Sequence, residues 1–431
     1  LGEGDLAWGD YDNDGDLDVA ITGVNSSGAF VTHICRNDSG NFEIIEPGMP
    51  GLYASSIEWG DFDKDNDLDL LLSGMSSDSA YTNIYENSEG IFFFFFLPLP
   101  GIDHGQVQWV DFDGDADLDV FLTGNWMSVL YENVNGDFID TGIEFDMVQN
   151  SRCDWGDFDN DGDPDLLLIG DNAAGFITKL YKNTNRVFDE IPLGIDGLFS
   201  GTVHWVDFDN DGDLDISLSG FDIYLEPRIL FFTNEGNDQF EIYPSIILGI
   251  ALGAMEWGDY DSDGDMDIFI SGKTAGCGAI ITNIWKNTPT GFEQDFTTGF
   301  PGYTKVSAGW ADFDNDGDLD FLLSGLSATS VPTTSLYRNN FGINQYITNT
   351  APSAPQNLST IIDGDKALMS WDKSTDNETF QNGLYYNLRI GSYPGGSDIL
   401  SPLSDPETGF RMVSHRGNIG QDTVWMIGQL D

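Results

Sequence analysis

A tryptophan followed, two residues later, by a nine-residue run of alternating aspartates recurs seven times along this 431-residue chain. The first copy reads Trp8-Gly9-Asp10-Tyr11-Asp12-Asn13-Asp14-Gly15-Asp16-Leu17-Asp18, and the runs begin at Asp10, Asp61, Asp111, Asp157, Asp207, Asp259 and Asp312. A period of about fifty residues means one supersecondary unit repeated as a solenoid, a propeller or an array. Fold and chemistry both have to be consistent with that repetition.

Each unit reads as short strands. One ends at the tryptophan, as in Val203-His204-Trp205, and the acidic run leads into an apolar strand closed by glycine, as in Leu70-Leu71-Leu72-Ser73-Gly74. Continuous apolar runs of this length, bounded by turn signals, suit strands buried on both faces. A third strand ends at Asn37, Asn87, Asn133, Asn183, Asn234, Asn287 or Asn339. A fourth opens at Phe42, Phe92, Phe138, Phe188, Phe240 or Phe292, and the last copy blurs at Phe341 to Ile343. Four short antiparallel strands per unit without helical periodicity predict an all-β, seven-bladed β-propeller, whose closure removes exposed sheet edges. The phenylalanine run Phe92 to Phe96 falls on an outer strand with one face buried, and Trp126 and Trp285 lie outside the repeated tryptophan position.

In each run the aspartates fall at the first, third, fifth, seventh and ninth positions. They are Asp10, Asp12, Asp14, Asp16, Asp18; Asp61, Asp63, Asp65, Asp67, Asp69; and Asp111, Asp113, Asp115, Asp117, Asp119. The fourth and fifth runs hold Asp157, Asp159, Asp161, Asp163, Asp165 and Asp207, Asp209, Asp211, Asp213, Asp215. The last two hold Asp259, Asp261, Asp263, Asp265, Asp267 and Asp312, Asp314, Asp316, Asp318, Asp320. Alternate side chains converge on one point only if the chain curls sharply, which a sixth-position glycine permits through positive φ. The carboxylates, with the backbone oxygen of the seventh residue, form an all-oxygen set suited to calcium rather than zinc or copper. An EF-hand needs glutamate at position twelve, and Ile21 stands there in the first copy. Asn66 and Ala116 replace the glycine in the second and third loops, so the third loop is the weakest candidate site. Seven identical loops imply a structural ion rather than a catalytic one.

Charge narrows the partners. Sixteen basic residues face 73 acidic ones, a net −57, which disfavours nucleic acid and anionic membrane. Cys35, Cys153 and Cys277 have no metal-ligand spacing and read as free thiols. His33, His104, His204 and His415 are scattered and form no catalytic motif. No run of eighteen apolar residues is present to make a membrane-spanning helix.

With those residues in place, the W-x-D-[FY]-D-x-D-G-D-x-D signature resembles the FG-GAP and VCBS-type repeats, calcium-binding blades also found in integrin α-chain heads. The resemblance implies a propeller over residues 1–349 with up to seven structural calcium ions, each loop joining the first two strands of its blade. It also implies a secreted or cell-surface setting. A linker follows at 350–356, including Ala351-Pro352-Ser353-Ala354-Pro355. Residues 357–431, with Ala367 to Trp371 and Leu384 to Ile390 as expected strands, resemble an incomplete fibronectin type III module. The function expected is binding and adhesion toward a glycan or extracellular protein by a monomeric propeller. A polysaccharide lyase or hydrolase and a ligand-free spacer are the alternatives.

Overall fold

The computed structural model describes all residues except 96–98, 276–277, 341–351, 364–365, 377–385, 394–395, 398, 402–403, 405–411, 414–422 and 428–431. The described residues are all-β and contain no helix, and therefore none able to cross a membrane.

The first repeat folds into β1 (Leu6–Gly9), β2 (Asp18–Val24), β3 (Phe30–Asp38) and β4 (Asn41–Ile45), paired antiparallel in sequence order. The second, third and fourth repeats build the same four-stranded sheet. The fifth and sixth do so too, joined by a bridge between Arg228 and Ile250. The seventh shows Tyr303–Ala311, Asp320–Ser327 and Pro332–Tyr337, and its expected outer strand falls outside the described residues. β1 pairs with β2, so the tryptophan strand is the first strand of its own sheet rather than the last of another. The second strands are the most buried, as their apolar runs require: Leu70, Leu71, Leu72, Leu166, Leu167 and Leu168 have no exposure at all.

The sheets pack face to face round a propeller-like ring. Each first strand touches the next sheet, and the seventh repeat touches the first. Two side chains make most junctions. The second-position aromatic of a loop stacks on the next tryptophan: Tyr11 on Trp59, Phe62 on Trp109, Phe158 on Trp205, Phe208 on Trp257, Tyr260 on Trp310 and, across the seam, Phe313 on Trp8. The asparagine ending each third strand donates its amide to the second-position carbonyl of the preceding loop. Asn87 reaches Tyr11 O at 2.7 Å, Asn183 reaches Phe112 O at 2.8 Å, and Asn37 reaches Phe313 O at 2.7 Å to close the ring.

At the other end of the first strands a belt invisible in the sequence appears. Five residues before each tryptophan the backbone is left-handed, at Glu3, Ala54, His104, Asn150, Ser200, Leu252 and Lys305, with φ between 45° and 57°. No glycine is used, so the conformation is held by surroundings that over-determine it. Ala54 N–H donates to Glu3 O, His104 N–H to Ala54 O, Ser200 N–H to Asn150 O and Leu252 N–H to Ser200 O, linking neighbouring sheets main chain to main chain.

The C-terminal strands Gln356–Asp363, Lys366–Asp372 and Val424–Ile427 form a separate three-stranded sheet. Within the run expected as a strand from Leu384 to Ile390, Tyr386 to Arg389 lie outside any strand, and Ile390 makes only an isolated bridge with Leu400. Cys35 and Cys153 are free thiols, while Cys277 lies outside the described residues. Trp285 is core, and Trp126 is 43% exposed on a hairpin tip. In Ile91–Phe95, Phe93 and Phe94 are exposed while Phe92 and Phe95 are partly buried against the tryptophan layer.

If the asparagines carry the junctions, Asn37→Ala and Asn87→Ala should each lose about 2 kcal/mol or more, because buried carbonyls lose their donors. Both should lower the urea midpoint, whereas Asn41→Ala on the surface should stay within about 0.5 kcal/mol. A silent Asn37→Ala would mean that the seam is held by other contacts.

Candidate metal centres

Each loop must leave its sheet, reverse and re-enter as the second strand within nine residues. Two left-handed residues make the reversal, at the fourth and sixth positions: Asn13 and Gly15 (φ 59° and 90°), Lys64 and Asn66 (64° and 71°), Gly114 and Ala116 (71° and 70°). The first-position carboxylate fastens the curl. Asp10 accepts from the N–H groups of Asp14 and Gly15 at 3.0 and 2.9 Å, and Asp61, Asp111, Asp157, Asp207, Asp259 and Asp312 repeat the pair. The fifth position caps the seventh, with Asp14 Oδ1 accepting from Asp16 N–H at 2.9 Å.

The ninth carboxylate ties the loop to its sheet. Asp18 accepts from Tyr11 N–H at 3.2 Å and from Asn37 N–H at 2.6 Å. Asp69, Asp119, Asp165, Asp215, Asp267 and Asp320 accept from the matching asparagine N–H. The same asparagine thus holds its own loop by its backbone and the preceding loop by its side chain.

This folding brings the first, third and ninth carboxylates together. Oxygens of Asp10, Asp12 and Asp18, of Asp61, Asp63 and Asp69, of Asp157, Asp159 and Asp165, and of Asp207, Asp209 and Asp215 lie within 4.8 Å of one another. In the third loop the gathered set is Asp111, Asp113 and Asp115, and two further such groups exist. Third-position Oδ1 atoms of Asp12, Asp113, Asp159, Asp261 and Asp314 are buried with no hydrogen-bond partner, as are Oδ2 of Asp267 and Asp320. A buried carboxylate oxygen without a partner is costly, and gathered like charges add repulsion. A metal ion removes both penalties, so these residues fit one. The donors are all hard oxygens.

The seventh-position side chains are committed elsewhere. Asp16 Oδ2 accepts from Ser39 N–H at 2.8 Å, and Asp67 and Asp163 accept likewise from Glu89 and Asn185. The other oxygen receives the fourth-position side chain of the preceding loop. Asn13 donates to Asp67, Lys64 to Asp117, Asn160 to Asp213, Asn210 to Asp265 and, across the seam, Asn315 to Asp16. Among the described residues these bonds lace loop one to two, two to three, four to five, five to six and seven to one, while in the third loop Gly114 has no side chain to give. The signal was present in the sequence: a left-handed residue that also donates is most easily asparagine, which recurs at Asn13, Asn160, Asn210 and Asn315.

A second feature escaped sequence reasoning. Asp113 Oδ2 pairs with Arg186 at 3.0 Å, Asp261 with Lys286 at 2.6 Å, Asp314 with Arg338 at 2.7 Å, and Asp159 with Lys182. Arg36 lies near enough to Asp12 to lower its proton affinity. Apart from Arg186, each of these cations immediately precedes a repeat asparagine.

The two glycine replacements have a tertiary cause. Asn66 Oδ1 accepts from Ser397 Oγ at 2.6 Å. Ala116 is 6% exposed and packs with Ala367 and Ile427 of the C-terminal sheet. Met412 O accepts from Asp10 N–H at 2.7 Å, so C-terminal residues lie against the first three loops.

Along the ring axis, the residues preceding the tryptophans form a polar lining that the repeat pattern hid. Glu58, Asp154 and Glu256 come from different sheets, yet Asp154 and Asp5 each repel both Glu58 and Glu256. Burial first, then this repulsion, pushes Glu58 and Glu256 well above the usual carboxylate range. Asp154 Oδ2 also accepts from Trp205 N–H, and Glu58 Oε2 from Trp109 N–H, each at 2.8 Å.

Burial dominates the loop carboxyls as well. It pushes Asp69, Asp119 and Asp165 up to about 9, Asp18, Asp215 and Asp267 to about 8, and Asp10, Asp61, Asp207 and Asp259 to about 6. These folded-state values lie above those of an unfolded chain. Their contribution to stability is complete below about pH 4 and is lost as pH rises through about 6 to 9. Metal-free protein should melt at falling temperature across that window, and saturating divalent metal should flatten the fall. Metal binding at pH 7 should also release protons, read as a calorimetric enthalpy that changes with the buffer's ionisation heat. A buffer-independent enthalpy would place the metal elsewhere.

A model of the FG-GAP-like repeat matches residues 7–72, 111–168 and 157–218, which supports a propeller built of FG-GAP-like repeats. No curated protein matches the chain. Among solved structures it is similar to AofleA from Arthrobotrys oligospora (12% identity, 67% of this chain and 84% of that one, TM-score 0.43). It is also similar to a rhamnogalacturonan lyase from Bacillus licheniformis (13%, 78% and 71%, TM-score 0.43). A third is an exo-beta-1,3-galactanase from Phanerochaete chrysosporium (8%, 80% and 78%, TM-score 0.34). Likenesses this distant carry no argument about what this chain does.

Proposed function

We propose that the chain is a seven-bladed propeller of FG-GAP or VCBS type, stabilised by up to seven calcium ions, that acts outside the cell as a monomeric binding and adhesion module for a glycan or protein ligand. The observation that carries the reading is the set of buried, partnerless carboxylate oxygens at the third and ninth loop positions. They need a cation in order to stay ionised. First-, third- and ninth-position aspartates would hold it, with Asp115 joining in the third loop. Calcium suits them because it accepts carboxylates at flexible angles and completes its shell with water, and weak multi-site calcium modules suit extracellular levels. When bound, the ion supplies charge neutralisation. The loops then curl, the asparagines engage, and the ring stiffens into a platform. The C-terminal module, read as fibronectin-like, would act as a spacer seated on the first three loops.

The axial carboxyls Glu58, Asp154 and Glu256 favour a second reading, a glycan lyase or hydrolase, because ionisable groups gathered on an axis serve no packing purpose.

If free calcium is ten times the dissociation constant, each site contributes about 1.4 kcal/mol by linkage. Several together rival the roughly 5–15 kcal/mol of a whole domain, so chelation should lower the melting temperature by about 20 °C. An unchanged melt on verified metal-free protein would end the structural-metal reading. Ligand class is read by probing glycan and matrix-protein arrays with and without calcium. Calcium-dependent capture without cleavage supports adhesion. Polysaccharide cleavage abolished by Glu58→Gln or Glu256→Gln would move the assignment to an enzyme.

A further inference from the structure

The cations of the repeats show what one groove lacks. In the fourth repeat Lys182 sits over the Phe158 ring, 5.8 Å from its centroid, and pairs with Asp159 of its own loop. It then reaches Asp238 in the turn of the next sheet at 2.8 Å. In the sixth, Lys286 lies 5.1 Å from the Tyr260 centroid and pairs with Asp261. The fifth repeat has Thr233 at this position, and its hydroxyl turns to Glu235 at 3.0 Å. Among the described residues no cation meets Asp209, and Glu235 adds negative charge beside it. The space between loop five and the turn of the sixth sheet, which a lysine bridges one repeat earlier, is a groove of about 720 Å³. Phe208, Asp209, Tyr243, Asp265 and Asn287 line it. Asn287 is unlike its counterparts there. Asn37, Asn87, Asn133, Asn183 and Asn234 accept a turn N–H on Oδ1, but the sixth turn contains Pro289 and closes on Thr288 O instead. Asn287 therefore lines the groove without the turn bond that its counterparts make. Among the described residues the second loop also lacks a cation on its third-position carboxylate, but C-terminal residues touch it through Ser397.

We propose that this groove is a binding site for an organic cation, the ammonium or guanidinium of a lysine or arginine side chain on a protein partner. The chain's own lysines, in sister repeats, provide the template: Lys182 has an aromatic face beneath, a third-position carboxylate alongside and an acceptor on the next turn, and Lys286 repeats the first two. A net charge of −57 draws basic partners to this surface, and the groove supplies the local selectivity. The inference rests on the reading of the chain as a binding module and names the chemistry one of its sites takes.

The test uses the full chain in millimolar calcium and physiological salt, with fluorescently labelled tetralysine and tetra-arginine as probes and anisotropy as readout. Thr233→Lys places the missing cation in the groove and should weaken binding about tenfold or more, with Tyr243→Ala weakening it in the same direction. Ser26→Lys makes the same charge change on a distant exposed turn and should alter affinity less than about twofold. Melting curves show that each variant is folded, and Thr233→Arg substitutes if Thr233→Lys is not. Equal weakening by Thr233→Lys and Ser26→Lys would mean diffuse attraction, and no saturable binding would mean no site; either overturns the proposal. Thr233-dependent binding of a chitosan tetramer without peptide binding would also overturn it, assigning the groove to an amino sugar. Array capture that survives Thr233→Lys would sink the groove while leaving the binding-module reading intact.

Discussion

The asparagine that ends each third strand does three jobs at once, and the architecture depends on it. Its backbone N–H binds the ninth-position carboxylate of its own loop. Its side-chain amide crosses to the preceding loop's second-position carbonyl in every repeat. In five repeats its carbonyl oxygen also caps the turn that starts the fourth strand. No other polar residue of that length offers two donors and an acceptor in this arrangement. Acidic loop, sheet and neighbouring sheet are therefore one hydrogen-bonded unit, and ordering of a loop is felt at the junction.

The same coupling runs round the loops. Fourth-position asparagines donate to the next loop's seventh-position carboxylate, so a loop that curls correctly presents its donor and one that does not leaves its neighbour short. Charge supplies the drive. Third-position oxygens in five loops and ninth-position oxygens of Asp267 and Asp320 are buried without partners, and burial raises the proton affinity of Asp18 and Asp69 as well. Protons or metal must therefore be present for the ring to be comfortable. The lysines and arginines beside the third position relieve part of that stress in most repeats, and their absence in the fifth leaves a negatively charged groove.

Departures from the repeat mark contacts beyond it. Asn66 and Ala116 each cost backbone strain relative to glycine, and each touches the C-terminal residues, one by a hydrogen bond and one by burying a methyl. Thr233 and the Pro289 turn open a groove. Glu58, Asp154 and Glu256 occupy a position that Ala7 and Gly309 fill elsewhere, so repetition does not require them.

Periodicity by itself determined that the chain is all-β and that one unit is repeated with a loop between its first two strands, because a fifty-residue period with short apolar runs leaves few other ways to bury a core. It also determined that the aspartates gather, since alternate positions in a sharply turned loop must converge. Which aspartates do so was not legible. The first, third and ninth converge in most loops, while the seventh turns to a neighbouring loop that lies 54 residues away in sequence for Asp67 and Asn13, and 299 away across the seam for Asp16 and Asn315, but beside it in the ring. The left-handed belt from Glu3 to Lys305 carries no residue signature, because main-chain bonds between sheets impose it. The axial carboxyls and the cation-lined loop faces likewise exist only once the sheets stand side by side. Local pattern is written in the residues that turn and bury; contact between repeats is decided by ring geometry, which no single repeat contains.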